Sequence, residues 1–287
     1  MSEPLMDKNS FLKYTSPFED SNFLILPIPY EQTTSYGTGT RNGPDAIIKA
    51  SHYLEVFDEE LGIEPYLEGI NTLEPLDFET RLIEPCIEKI YKTVQALPIK
   101  EKFLLSLGGE HSITYPIVRA FKEKFNSITV LQIDAHSDLR EEYEGTIYSH
   151  ACVMARVKDM ANIVQVGIRS QTREEYDLIK KIGIHTFYMS SIIDNKHWKE
   201  QVLESLGENV YLTVDLDGFD PSIAPAVGTP EPGGLLWYDV VNLIKMVAHS
   251  RNIIGCDIVE LSPRPGSIVT DFLAAKLAYK IIAYHTR

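Results

Sequence analysis

The apolar, β-branched run Ile128-Thr129-Val130-Leu131-Gln132-Ile133 passes directly into Asp134-Ala135-His136-Ser137-Asp138. Alternate residues of an extended chain point the same way, so these three ionisable side chains converge if the strand geometry continues past Ile133. Two carboxylates and an imidazole suit a divalent cation. An isolated run of this kind would read as a solvated loop with a salt link, but the pattern recurs. Val210-Tyr211-Leu212-Thr213-Val214 opens into Asp215-Leu216-Asp217-Gly218-Phe219-Asp220-Pro221 with carboxylates at the same spacing. Phe103-Leu104-Leu105-Ser106-Leu107 ends in Gly108-Gly109-Glu110-His111. Strands that each deliver Asp or His just past their last apolar residue predict a two-metal site at the carboxyl ends of a parallel sheet.

The remaining chain supplies such a sheet. Further strands are expected at Asn22 to Pro27, Ile163 to Ile168, Ile184 to Tyr188 and Ile253 to Val259. Helical spacing of apolar residues marks Thr80 to Leu97, Ser112 to Phe125, Arg173 to Ile182, Trp198 to Leu206, Leu236 to His249 and Ile268 to Tyr284. Regular alternation of this kind predicts an α/β fold, one mostly parallel sheet covered by helices on both faces. No repeat, linker or low-complexity segment interrupts it, so residues 1–287 are expected to form one domain. The turn-rich stretch Tyr36 to Asp45 lacks the spacing of a dinucleotide fingerprint and the Gly-Lys-Ser/Thr of a P-loop. It reads instead as a turn opening a helix through about Leu54, with Pro44 at the first helical position.

A formal net charge of −14 argues against nucleic acid or an anionic membrane surface as partner, and is compatible with a cationic substrate. No apolar run approaches the length of a membrane span. Cys86, Cys152 and Cys256 lie far apart and form no Cys-x-x-Cys pair, so neither a thiolate metal site nor a disulfide framework is indicated. The amino terminus lacks the basic and apolar regions of a signal peptide, so a reducing cytoplasm is expected.

Two cations about 3.5 to 4 Å apart need bridging carboxylates with imidazoles completing each shell. His111, Asp134, His136, Asp138, Asp215 and Asp217 supply them. This oxygen-rich set with two imidazoles favours Mn²⁺, although Ni²⁺, Co²⁺, Fe²⁺ or Zn²⁺ also bind such donors. Metals so placed bring the pKa of a shared water from 15.7 toward about 7, and hydrolysis is the natural chemistry.

Gly108-Gly109-Glu110-His111, Asp134-Ala135-His136-Ser137-Asp138 and Asp215-Leu216-Asp217-Gly218-Phe219-Asp220-Pro221 resemble the three metal motifs of the ureohydrolase family, which contains arginases and agmatinases. The resemblance extends to Thr40-Arg41-Asn42-Gly43-Pro44, to Gly228 through Leu235, and to Asp257-Ile258-Val259-Glu260-Leu261-Ser262-Pro263. It implies a three-layer α/β/α fold of the arginase and deacetylase type, with about eight strands. It also implies a binuclear manganese centre with two Mn²⁺ per chain, hydrolysis of a guanidinium group to urea and an amine, and a trimeric or hexameric homo-oligomer. In this resemblance His111, Asp138 and the bridging Asp134 and Asp215 hold one metal, and His136 and Asp217 complete the other. A bridging hydroxide attacks the guanidinium carbon, and Asp138 accepts a hydrogen bond from it. Glu260 matches the carboxylate that holds the guanidinium, a role that suits the planar fork of N–H donors. His150 stands where the family carries a proton-shuttling histidine, with Ala151 in place of the usual glycine.

The substrate's far end is read from the loop after the aspartate-rich motif. Arginases hold the amino acid end of arginine there with Asn and Ser, whereas Leu139 to Ser149 contains Glu141, Glu142 and Glu144 and no asparagine. Those charges favour a substrate ending in an ammonium group. Glu141, Glu142 and Glu231 are the candidate amine contacts, agmatine is the first choice of substrate and N1-aminopropylagmatine the second; guanidinobutyrate and arginine follow. Deacetylase-type amidohydrolases use one zinc and fewer of these carboxylates. A regulatory homologue that binds metal without turnover is the non-enzymatic rival.

Overall fold

The structure, a computed structural model, describes residues 5–286. A short antiparallel ribbon, β1 (Leu5–Met6) with β2 (Tyr14–Thr15), precedes the main sheet. That sheet contains β3 (Phe23–Ile28), β4 (Ile70–Thr72), β5 (Phe103–Gly108), β6 (Thr129–Ile133), β7 (Asn162–Ile168), β8 (His185–Tyr188), β9 (Asn209–Asp215) and β10 (Asn252–Val259). Its order is β4-β3-β5-β10-β9-β6-β7-β8, and every neighbouring pair is parallel. The eight-stranded α/β architecture expected from alternation and resemblance is therefore the one observed.

Helices cover both faces: α1 (Gly43–Ser51), α2 (Ile83–Ala96), α3 (Thr114–Lys124), α4 (Val153–Val157), α5 (Arg173–Ile182), α6 (Met189–Ile192), α7 (Trp198–Ser205), α8 (Trp237–Ser250) and α9 (Val269–His285). The period-two alternation of the strands divides the core in two. Ile25, Leu105, Leu131, Leu212 and their neighbours pack against α1, α6, α7, α8 and α9. Leu24, Leu104, Val130 and Tyr211 face the other way, onto α2, α3, α4 and α5. Each such apolar side chain contributes roughly 1.5–3 kcal/mol on burial, so slipping one strand by a residue would exchange its two faces and forfeit the set.

Some boundaries differ from expectation. Helix α2 starts at Ile83 rather than Thr80, because Pro85 fits only the first turn, where its missing N–H is not needed. Helix α1 ends at Ser51, short of Leu54. Strand β4 was not expected: only Ile70-Asn71-Thr72 pair there, at the sheet edge.

The register sets the level at which chemistry begins. Leu107 pairs with Ile258, Ile258 with Val214 and Val214 with Ile133, so four central strands reach the same height together. One residue further on, Val259 pairs with Asp215. Asp134, Asp215 and Glu260 thus emerge side by side at the carboxyl edge of β6, β9 and β10, and His111 follows β5 by one turn.

Candidate metal centre

Backbone turns gather the candidate ligand residues. Strand geometry stops at Ile133, and His136 instead folds back so that its N–H donates to Asp134 Oδ1 at 2.6 Å. Asp138 lies at φ 54, and the chain reverses there. Its carbonyl accepts from the N–H groups of Met154 and Ala155 at the start of α4. The amide of Asp217 donates to Asp215 Oδ1 at 2.9 Å, and that of Ala135 to Asp217 Oδ1 at 3.1 Å. Gly218 permits the approach: a Cβ there would stand 2.9 Å from the nitrogen of Asp134. Gly109 is equally constrained, since its Cβ would meet Tyr30 O at 1.9 Å.

Two donor groups result. His111 Nδ1 faces Asp134 Oδ2 at 3.1 Å, Asp138 Oδ2 at 3.0 Å and Asp215 Oδ2 at 3.4 Å. His136 Nδ1 faces Asp217 Oδ2 at 2.9 Å and Asp134 Oδ1 at 3.7 Å. His111, Asp134 and Asp215 form one set of atoms close enough to share an ion, and Asp134, His136 and Asp217 form another, so Asp134 belongs to both. These side chains are buried apart from His136, which is partly exposed.

The electrostatics fit cations. Burial alone would disfavour a charged His111, but the carboxylates of Asp134, Asp138 and Asp215 outweigh it and raise its pKa well above the ordinary value. Burial and the charges of Asp217 and Asp134 push Asp215 up, and burial with Asp134 brings Asp138 to about 7. Protons thus stand where positive charge is required. The buried Nδ1 of His111 has no hydrogen-bond partner of acceptable geometry, while its Nε2 donates to Thr213 Oγ1 at 2.9 Å. An imidazole nitrogen so oriented, among carboxylate oxygens, matches the donor set of a pair of divalent ions.

Other buried groups, not assigned from sequence, set this orientation. Thr213 passes its own proton to Asp257 Oδ1 at 2.6 Å, and Asp257 Oδ2 accepts from Tyr211 and Thr114. A carboxylate inside the apolar run Ile253 to Val259 was the available signal. Glu110 accepts from the amides of Gln32 and Thr33 and from the hydroxyls of Thr33 and Ser112. Thr33 Oγ1 in turn accepts from the His150 amide at 3.1 Å, which joins the Gly-Gly-Glu-His turn to the loop carrying His150.

A cavity of about 220 Å³ opens over the ligands, lined among others by Ser35, Arg140, Tyr143, His150 and Thr229. Its floor takes in His111, Asp215, Asp217, Gly228 and Glu260. Glu260 Oε1 accepts from the His111 amide, and its φ of 66 makes it, like Asp138, a non-glycine residue in the left-handed region. Such strain costs on the order of 1–3 kcal/mol and collects at functional sites. Burial and the charge of Glu110 push the Glu260 carboxyl well up, which a neighbouring cation would reverse. Burial lowers the pKa of His150, whose Nδ1 stands 3.3 Å from Ser149 Oγ. Glu231 stands beside the ligands, Oε1 3.8 Å from His136 Nε2. Glu141 and Glu142 are not brought into the cavity: Glu141 is bound by Arg156 and by Lys158 at 3.0 Å, and both are exposed. Arg140 lies with its guanidinium 4.7 Å over the Tyr143 ring. A larger cavity, about 710 Å³ at Gln32, Arg41 and Arg81, contains none of these ligands. Among the described residues no helix is long and apolar enough to cross a membrane.

Residues 21–283 match the arginase family. An N(1)-aminopropylagmatine ureohydrolase of Synechocystis is 40% identical over 275 residues, covering 93% of this chain and 90% of that protein. An agmatinase of Bacillus cereus is 34% identical over 88% of each chain. The crystal structure of agmatine ureohydrolase of Thermoplasma volcanium superimposes with a TM-score of 0.88 at 34% identity, covering 100% of this chain and 95% of that one.

Proposed function

The chain belongs to the arginase family of ureohydrolases, enzymes acting on guanidino C–N bonds, and within it we propose that this protein cleaves N1-aminopropylagmatine to urea and spermidine on a pair of Mn²⁺ ions. The observation that carries the substrate reading is Glu231, a partly exposed carboxylate 3.8 Å from His136 Nε2, which would take an ammonium group of a polyamine tail. Glu141 and Glu142, which favoured a substrate ending in an ammonium group from sequence, are spent or solvated outside the cavity. The Synechocystis relative bears the longer substrate in its name. Agmatine is the second reading, supported by the full-length likeness to the Thermoplasma volcanium enzyme. One catalytic domain over residues 1–287 and a cytoplasmic trimer or hexamer belong to the same reading.

His111, Asp138, Asp134 and Asp215 would hold one ion, and His136 and Asp217, with the same bridging carboxylates, the other. Bound there, the ions lower the pKa of water to supply a nucleophile at neutral pH. Glu260 takes the guanidinium by charge-assisted hydrogen bonds and fixes its carbon at the floor of the cavity. Asp138, at the same floor, would accept a hydrogen bond from the attacking water. His150, kept neutral by burial and with Nδ1 3.3 Å from Ser149 Oγ, would take up the proton released as the water attacks and return it to the departing amine.

The test is urea release by the Mn²⁺-supplemented protein from N1-aminopropylagmatine, agmatine, arginine and guanidinobutyrate, compared by kcat/KM. Preference for the aminopropyl compound of tenfold or more over agmatine is expected. Preference for agmatine would install the second reading, and preference for arginine would overturn both.

A further inference from the structure

Arg169, just beyond β7, is half-buried, and among the described residues its guanidinium hydrogen-bonds to main-chain carbonyls. Nη2 donates to Asp217 O at 2.6 Å, to Glu231 O at 2.8 Å and to Phe219 O at 3.2 Å. Nη1 donates to Gly167 O at 3.1 Å and Gly218 O at 3.3 Å, and Nε to Pro232 O at 3.1 Å. One rigid, planar fork therefore spans two segments of the connection between β9 and α8, residues 217–219 and 231–232. The first, Asp217 to Phe219, carries a candidate metal ligand. The second carries Glu231, whose carboxylate returns to His136 on the same side of the site.

We propose that Arg169 is the positioning residue of the second metal position: it fixes the main chain that presents Asp217 and ties to it the loop that presents Glu231. A carbonyl lone pair directed at a half-buried guanidinium holds the peptide plane, and hence the adjoining Cα–Cβ bond of the residue that bears the carbonyl, far more tightly than solvent does. Thr229 Oγ1 donates to Asp217 Oδ2 at 3.2 Å, so the two loops also meet through side chains. Lysine cannot substitute, because a single ammonium has its donors at one point and cannot reach both loops. The Glu231 half of the proposal rests on the reading of Glu231 as the acceptor of the substrate's tail.

The experiment compares wild-type protein with Arg169→Lys and Arg169→Gln by calorimetric titration with Mn²⁺, thermal unfolding, and kcat and KM for N1-aminopropylagmatine. The expected result is one Mn²⁺ site of unchanged affinity and a second weakened about ten- to a hundredfold, as for loss of a group that orients a ligand. KM should rise about tenfold while excess Mn²⁺ recovers most of kcat. Two sites of unchanged affinity overturn the proposal, as does failure of both variants to fold with Mn²⁺ present, which would make Arg169 a general structural residue. Glu231→Gln separates the two readings. If it leaves KM unchanged while Arg169→Lys still weakens one site, Arg169 keeps its role toward Asp217 and only the tail reading falls.

Discussion

The backbone amide of His111 donates to Glu260 Oε1 at 2.7 Å, so the main chain that carries the imidazole and the carboxylate at the cavity floor are bound to each other across the ends of β5 and β10. The amide of Glu260 donates in turn to Gly109 O at 2.8 Å. Two hydrogen bonds thereby lock the two strand ends and orient both residues.

That contact makes Glu260→Gln an informative change. Glutamine retains an acceptor for the His111 amide, so the ligand geometry is preserved, while the charge that faces the guanidinium is lost. Both ions should remain by elemental analysis, and kcat/KM should fall about ten- to a hundredfold, the worth of a hydrogen bond between charged partners. An unchanged rate would remove Glu260 from the reaction.

Asp134 is shared by both donor groups. Asp134→Ala should therefore release two ions together rather than one, with turnover falling at least about a thousandfold, the scale of losing the metal's several kcal/mol of stabilisation. Retention of two tightly held ions would refute its bridging role.

Thr213 tests the layer beneath. Its hydroxyl accepts from His111 Nε2 and donates to Asp257, so it decides which imidazole nitrogen faces the carboxylates. Thr213→Val keeps the shape and removes the bond. Mn²⁺ affinity at the His111 position should weaken about ten- to a hundredfold, with activity recovered by excess Mn²⁺. A metal titration identical to wild type would show that packing alone orients the ring.

The parallel sheet was legible because its buried strands are continuous apolar runs, and the clustering of ligand residues because they fall at the carboxyl ends of those runs. What was illegible depends on distant pairing. Glu141 seemed free to meet a substrate, yet Arg156 and Lys158, well along the chain, take it. Arg169 has no motif, because its partners are carbonyls, which every residue possesses. Asp138 reaches His111 through a left-handed turn, not through the extended geometry that alternation suggested. Strand β4 offers too few residues to establish a period.

Far from the site, a partly buried ion cluster supplies a pH dependence of stability. Lys280 on α9 lies 2.8 Å from Glu60 Oε2 and 2.9 Å from Asp58 Oδ2, and Lys245 on α8 reaches Glu60 Oε1 at 2.6 Å. Tyr284 donates to Glu60 at 2.7 Å. Burial works to raise the Glu60 pKa, but Lys245, Lys280 and Tyr284 outweigh it and bring it down to about 2. The unfolded chain has a glutamate value of about 4.3. Because the folded value is the lower one, Glu60 contributes its stability in full above about 4.3 and loses it as pH falls toward about 2. Glu60→Gln should therefore cost on the order of 2 kcal/mol at pH 7, discounted for its partial exposure, and progressively less below about pH 4. Urea unfolding of chelator-treated wild-type and variant protein at pH 7, 5 and 3 measures this without the metals' own proton linkage. A stability gap that stays constant down to pH 3 would mean that Glu60 is held by shape and neutral hydrogen bonds, and that the lysines on α8 and α9 add no net attraction.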